Sequence, residues 1–235
     1  MHLETKEAFQ QFNEQQMGRN KRFQSHLQSP RLPIGLRSIP TAVLDRLVHF
    51  YMESLQHTYP IIPQEWLTRI FRSISETRSG LQLSHLESFV AYITLAISSA
   101  SLYWKAGPQA RAGSLSLFSS AIRRLQEIVE IGGLERLQAV LLLAHYAHLN
   151  PEFVDIWTCV TTATKIVVDL GLHATVDGED NDLRQRLFWV AYNMDRSLSV
   201  TLKLPISFPE ESISIKVYPS PLVLPFESQL IAFSI

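Results

Sequence analysis

Apolar residues recur every three to four positions along most of this 235-residue chain. That period places them on one face of an α-helix, and amphipathic helices bury such faces against one another. The regularity ends near the C-terminus, where prolines stand at positions 205, 209, 219, 221 and 225. We therefore predict an all-α fold, a multi-helix bundle of about seven or eight helices with a Pro-rich extended segment near the C-terminus.

Local signals mark where several helices begin and end. Ser84 and Glu87 have the spacing of a capping box, which predicts a helix start. The uncharged stretch 88–104 mixes Ser and Thr with apolar residues, which favours a buried core helix over a membrane span. Segments 151–171 and 180–202 are predicted as two tryptophan-bearing helices that pack together, and Gly171 stands where a left-handed C-terminal cap belongs.

Composition argues against several classes of protein. The net charge of -1 and the sequence pI of about 6.7 do not suit a nucleic-acid-binding polycation. The basic stretch 19–37 shows neither aromatic interleaving nor helix-turn-helix spacing, and we interpret it as a solvated linker. The polar, acidic N-terminus has no apolar signal-peptide core, so we expect a soluble, intracellular protein that does not enter a membrane.

Residues with catalytic or metal-binding chemistry are few. Cys159 is the single cysteine, and with His145 or His148 as a base it would form a nucleophilic pair, but its mid-helix position favours a small buried thiol. His145 and His148 share a helical face as metal ligands do, yet no HExxH arrangement accompanies them. We favour hydrogen-bonded core histidines and expect no catalytic, cofactor or metal site in this chain.

The densest acidic cluster lies at 177–182, ahead of a long predicted helix. In an all-α protein such carboxylates can serve magnesium–diphosphate chemistry, which also needs a second acidic motif on a facing helix. No second motif of that form is present. We favour a solvated loop and helix start stabilised by the helix dipole, and keep an all-α magnesium-dependent enzyme that uses 177–182 as an alternative.

Two adjacent charges, Asp195 and Arg196, interrupt a strongly apolar predicted helix. A buried charge without a partner is costly, so this pair needs polar neighbours. We predict a structural ion-pair network between neighbouring helices that also includes Arg184, Arg186 and Asp169. A contact to an anion or another ligand is the alternative.

Several strings along the chain resemble the fungal-specific transcription factor domain, the middle homology region of fungal zinc binuclear cluster regulators. The string D-L-G-L-H at 169–173 and the string D-R-S-L-S at 195–199 make the resemblance specific. Further similar segments are 47–51, 59–63, 141–146, 157, 163–168, 184–192, 205 and 213–217. The resemblance covers residues 41–220 and implies an all-α regulatory domain.

Two departures accompany the resemblance. The family has Gly-Arg-Pro where this chain has Lys203, Leu204 and Pro205, which leaves the conformation of that turn open. The six-cysteine zinc cluster through which family members recognise DNA is absent from this sequence. We therefore expect a fragment, a truncated chain or a regulator without its DNA-binding head. Its expected parts are an N-terminal polar helix and linker at 1–40, the regulatory domain at 41–222, and a truncated C-terminal segment at 223–235.

The resemblance implies the regulatory domain of a fungal RNA polymerase II transcription regulator, in the nucleus or else the cytoplasm, that binds a small-molecule effector or a partner. Expected partners are a second copy of the chain or a zinc-cluster regulator, and DNA is reached only indirectly. The alternative is an interaction module without a zinc cluster that dimerises with another regulator. The residues expected to form the packing and regulatory core are Trp157, Asp169, Gly171, His173, Arg186, Trp189, Asp195 and Arg196.

Overall fold

The computed structural model describes residues 34–76, 83–103, 107–127, 132–174 and 181–216, together with 7, 9–16, 18 and 19. Its helices are α1 (Thr41–Phe50), α2 (Gln64–Glu76), α3 (His85–Ser101), α4 (Pro108–Gln126), α5 (Gly133–Leu149), α6 (Ile156–Asp169) and α7 (Asn181–Leu202). Residues 9–16 are also helical, Tyr51–Leu55 extends α1 as a π-helix, and 3-10 turns occupy Leu36–Ser38 and Glu210–Ser212. The described ranges contain no strand, and the predicted all-α bundle is confirmed.

Helices α3 and α5 form the centre of the bundle. Every residue from Phe89 to Ser99 in α3, and from Arg136 to Ala147 in α5, is buried. A helix buried on all sides has no use for a polar face, which explains the uncharged stretch that the sequence shows at 88–104. α4 packs along α3, α5 packs against α3, α6 packs against α5, and α7 contacts both α5 and α6.

Several hydroxyl groups inside the bundle donate to backbone carbonyls. Thr94 Oγ1 donates a hydrogen bond to Val90 O at 2.8 Å within α3. Ser114 Oγ of α4 donates to Ala96 O of α3, also at 2.8 Å, and so joins the two helices. Because a buried hydroxyl without a partner costs free energy, these bonds allow Ser and Thr to occupy the core. None of the described helices is long and apolar enough to cross a bilayer.

Two helix ends expected from the sequence are confirmed. Ser84 Oγ accepts a hydrogen bond from Glu87 N at 3.1 Å, and Glu87 Oε2 accepts one from Ser84 N at 3.0 Å, which completes the capping box. At the end of α6, Gly171 has a φ of +62°, and Leu172 N donates to Val167 O at 3.0 Å. That bond and that dihedral angle define a Schellman cap.

The helical residues 9–16, expected to be polar, also contribute to the core. Phe9 and Phe12 are buried, and the guanidinium of Arg136 lies 5.6 Å from the centre of the Phe9 ring. The predicted helix at the N-terminus therefore has an apolar inner face, set by the spacing of its two phenylalanines. Most of the predicted linker, residues 20–33, lies outside the described residues.

Residues 203–216, here called the C-terminal strap, leave α7 and pass back over α6 and α7. Phe208 and Ile215 are buried. Ser214 N and Ile215 N both donate to His173 O, at 3.0 and 3.2 Å. The strap thus holds to the end of α6 through backbone bonds without forming a strand, as expected for an extended strip lying on helices.

Candidate functional site

Asp195 is the buried charge around which the end of the bundle is arranged. It lies on α7 with none of its surface exposed to solvent. Its Oδ2 accepts a hydrogen bond from Ser207 N at 3.0 Å, and its Oδ1 accepts one from Ser207 Oγ at 2.5 Å. Hydrogen bonds to an ionised acceptor are stronger than neutral ones. The carboxylate therefore fixes the C-terminal strap to α7.

Arg196 holds the next residues of the C-terminal strap. Its Nη2 donates to Phe208 O at 2.9 Å, and Glu210 Oε1 lies 3.7 Å from the same nitrogen. The guanidinium is also stacked 4.8 Å from the centre of the Tyr192 ring on the preceding turn of α7, a cation–π arrangement. Asp195 and Arg196 thus point to adjacent parts of the strap.

Trp189 and His173 complete this contact at the far end of the C-terminal strap. Trp189 Nε1 donates a hydrogen bond to Lys216 O at 2.9 Å. The His173 carbonyl accepts hydrogen bonds from Ser214 N and Ile215 N of the strap. We call His173, Trp189, Asp195 and Arg196 together the strap clasp. All four of these predicted residues contact the C-terminal strap. No single motif in the sequence indicates that they bind the same segment.

The other predicted residues lie outside the strap clasp. Trp157 is partly buried in the first turn of α6, where its backbone N donates to Asp155 Oδ1 at 3.1 Å. Gly171 forms the cap of α6. Asp169 and Arg186 are both partly buried, on α6 and α7.

The predicted ion-pair network is corrected by the structure. Within the described residues no salt bridge joins Asp195 or Asp169 to an arginine of α7. Arg184 Nη2 instead donates to Leu170 O at 3.0 Å, where the carbonyl end of α6 attracts a cation. Asp195 and Arg196 likewise bond to the strap: Asp195 to Ser207 and Arg196 Nη2 to Phe208 O.

His145 and Cys159 are both buried in the core. Burial, with a smaller contribution from neighbouring His148, lowers the pKa of His145 to about 3. The His145 ring meets the edge of Tyr59 at 4.9 Å between centres, and its Nδ1 has no hydrogen-bond partner among the described residues. Burial, and then the charge of Asp155, raises the pKa of the Cys159 thiol. Because the thiolate is the reactive form, this cysteine has the character of a packing residue.

Metal-ligating side chains do not cluster in the described part of the chain. The described ranges contain no group of three or more His, Cys, Asp or Glu residues placed to hold an ion. Residues 177–180 of the predicted acidic cluster lie outside those ranges, and Asp182, at the start of α7, is exposed.

Sequence reasoning missed two open clefts that are lined by described residues and lie between helices. The larger, of about 510 Å³, lies between α2, α5 and α7. The smaller, of about 340 Å³, lies between α1 and α2. Each is built from residues far apart in the chain, which no local motif connects. The one available signal was the pair Trp66 and Arg69, an aromatic residue and a cation one helical turn apart on α2.

A helical bundle with open clefts and a clasped terminal segment has the features of a binding or regulatory domain. Comparison with known families makes this class specific. The family described as the fungal specific transcription factor domain matches residues 48–234, and this chain belongs to that family. The resemblance noted in the sequence is confirmed.

Curated relatives of the chain are fungal regulators. It is 35% identical over 110 residues to pyrimidine pathway regulatory protein 1 of Saccharomyces cerevisiae, and 34% identical over 123 residues to the positive regulator of purine utilization of Emericella nidulans. Those alignments cover 45% and 38% of this chain and 11% and 12% of the relatives. A negative regulator of pleiotropic drug resistance from Candida glabrata is 22% identical over 203 residues, which is 76% of this chain and 20% of the relative.

The chain thus spans a fifth or less of the length of these three relatives. No solved structure matches it. The family and the relatives are transcription regulators rather than enzymes, which removes the support for the magnesium-dependent alternative. The evidence against a magnesium-dependent enzyme is the family membership, because residues 177–180 lie outside the described ranges.

Proposed function

We propose that the chain is a regulatory region that acts in the nucleus on transcription of a small-molecule pathway, and that binding of an effector or a partner controls it. The observation that carries the proposal is the match of the fungal specific transcription factor domain over 48–234. Two relatives are named for pyrimidine and purine pathways, and both names support a metabolic response. The open clefts supply places where binding can favour one conformation over another.

The test is a fusion of residues 1–235 to an unrelated DNA-binding domain in a fungal reporter strain. We expect the fusion to change reporter output relative to the DNA-binding domain alone, and the size of the change to depend on nutrient conditions. Asp195→Ala, which removes the carboxylate that binds Ser207 of the C-terminal strap, is the matched variant and should alter that dependence. An output equal to that of the DNA-binding domain alone under every nutrient condition would contradict the proposal.

A second candidate function is self-association through the end of α7. Val200, Leu202, Leu204 and Ile206 form a run of exposed aliphatic side chains, between 38% and 55% accessible. Exposed aliphatic side chains can contribute to an interaction site, and a second copy of the chain offers the same residues for a symmetric contact. Light scattering of the purified chain should then report a dimer that Leu204→Asp converts to a monomer. A monomer at all concentrations would exclude this candidate.

A further inference from the structure

The cleft between α2, α5 and α7, here called the Trp66 cleft, has the size and lining of a small-molecule site. Its volume of about 510 Å³ falls inside the range of about 300–1,000 Å³ typical of ligand pockets. Pro63, Trp66, Leu134 and Leu183 supply apolar surface from three separate parts of the fold. Because these parts are fixed by helix packing, the walls are largely preformed.

Trp66 presents an aromatic surface that the protein only partly uses. It is partly buried and rests against the core. Its indole N–H makes no hydrogen bond to another described residue and is not among the buried groups left without a partner. An aromatic ring that is supported from behind and lines a cleft is suited to stacking with a flat ligand.

Arg69 places a cation three residues further along α2, in the same cleft. Its side chain is 69% exposed, and the nearest acid, Glu87 Oε1, lies 3.7 Å from Nη2, beyond hydrogen-bonding distance. Arg69 and Glu87 form a long ion pair through Oε1 alone, since the other oxygen, Oε2, accepts the capping bond from Ser84 N. The guanidinium therefore keeps donors for another anion, and its planar geometry favours a carboxylate.

The one acid of the Trp66 cleft is already engaged. Glu135 Oε2 accepts a hydrogen bond from Gly132 N at 2.7 Å, at the start of α5, where the helix dipole favours a negative charge. The smaller cleft differs, because it contains Asp45 together with Arg72 and has no tryptophan. The Trp66 cleft thus combines a stacking ring with a cation that is held only by a long ion pair.

We propose that the Trp66 cleft binds a small aromatic carboxylate, with the ring of the ligand against Trp66 and its carboxylate on Arg69. This inference rests on the proposed function for its biological meaning, since such a ligand would be the effector. Binding itself can be measured on the purified chain without any transcriptional readout.

The probe is 2-naphthoate, compared with 2-naphthamide, which has the same ring and no charge. Binding is followed by the ¹⁵N-labelled indole N–H signals of the tryptophans, with Trp66→Phe used to assign one of them. We expect 2-naphthoate to shift the Trp66 signal saturably and to leave the Trp157 and Trp189 signals in place. The amide should bind at least about fivefold more weakly, because it lacks the charge that pairs with Arg69.

Matched variants test the assigned residues. Arg69→Gln should raise the Kd for 2-naphthoate at least about fivefold and abolish the difference between acid and amide, whereas Arg72→Gln in the smaller cleft should change neither. Arg69 is largely exposed, so the variant is expected to fold. The inference is overturned if the Trp66 signal does not shift saturably, if acid and amide bind equally, or if the two arginine variants weaken binding alike.

The reporter fusion separates this inference from the proposed function. If 2-naphthoate fails to bind while the fusion still responds to nutrients, the proposed ligand class is wrong and the regulatory function stands. If 2-naphthoate binds as described while the fusion never changes reporter output, the site stands and the regulatory function is wrong.

Discussion

Lys203 occupies a backbone position that ordinarily selects glycine. Its φ is +56°, in the left-handed region, and Leu204 N donates to Ser199 O at 2.9 Å. This is the same Schellman cap that Gly171 forms at the end of α6. The family motif has glycine at this position. The sequence did not decide the conformation of this turn, and the structure shows that Lys203 adopts the left-handed conformation typical of glycine.

Replacing Lys203 by glycine should stabilise the protein. A side chain in the left-handed region destabilises the folded state by about 1–2 kcal/mol, and glycine removes that strain. Glycine also has more conformational freedom in the unfolded chain, which offsets about 0.4–1 kcal/mol of the stabilisation. We expect Lys203→Gly to raise the free energy of unfolding by about 0.5–1 kcal/mol in urea denaturation. Lys203→Ala retains the Cβ and should stay near wild type, and a Lys203→Gly variant that is less stable than wild type would refute this interpretation of the cap.

His145 should make stability depend on pH. The imidazole has an ordinary pKa of 6.5 in the unfolded chain, and burial lowers the folded pKa to about 3. Below pH 6.5 the unfolded state binds a proton at His145 that the folded state does not bind. The stability that the neutral, buried His145 contributes is therefore complete above pH 6.5 and is lost as the pH falls towards 3. Between pH 6.5 and 4.5 the loss amounts to about 2–3 kcal/mol.

The measurement is urea denaturation of wild type and His145→Leu at pH 7 and 4.5. The variant should lose less stability on acidification than wild type, by about 2–3 kcal/mol. His57→Leu, at an exposed position, serves as the control and should follow wild type. Equal pH dependence in wild type and His145→Leu would show that His145 titrates alike in both states.

Among the elements, α3 depends on the cap at its start. Removing the acceptor at Ser84 leaves the Glu87 N–H without its partner, and such changes cost about 0.5–2 kcal/mol. We expect Ser84→Ala to lower the free energy of unfolding by about 1 kcal/mol, while Ser84→Asp keeps an acceptor and should stay close to wild type. Identical stability of the alanine and aspartate variants would argue against the capping bond.

The elements themselves were largely predictable from local patterns. The capping box at Ser84 and the glycine at 171 fixed two boundaries, because each satisfies backbone groups that a helix end leaves unpaired. The start of α6 was less clear. It begins at Ile156, after Asp155, which accepts a hydrogen bond from Trp157 N. The sequence alone placed that helix closer to Pro151, because apolar spacing continues through Phe153.

At the scale of the whole molecule, the sequence indicated which residues are central but not what they contact. Asp195 was expected among arginines of neighbouring helices, since a buried charge needs a partner. Its partner is Ser207, a serine in a segment without periodicity. The Trp66 cleft likewise depends on how α2, α5 and α7 pack, which no spacing within one helix specifies.

The strap clasp fixes the C-terminal strap to the bundle, and the Asp195–Ser207 contact is its most direct test. Asp195→Ala removes the acceptor for two hydrogen bonds and should cost about 2 kcal/mol. The decisive measurement is a double-mutant cycle of Asp195→Ala and Ser207→Ala, followed by the free energy of unfolding. We predict a coupling energy of about 1 kcal/mol or more. Additive effects, within about 0.3 kcal/mol, would contradict the clasp.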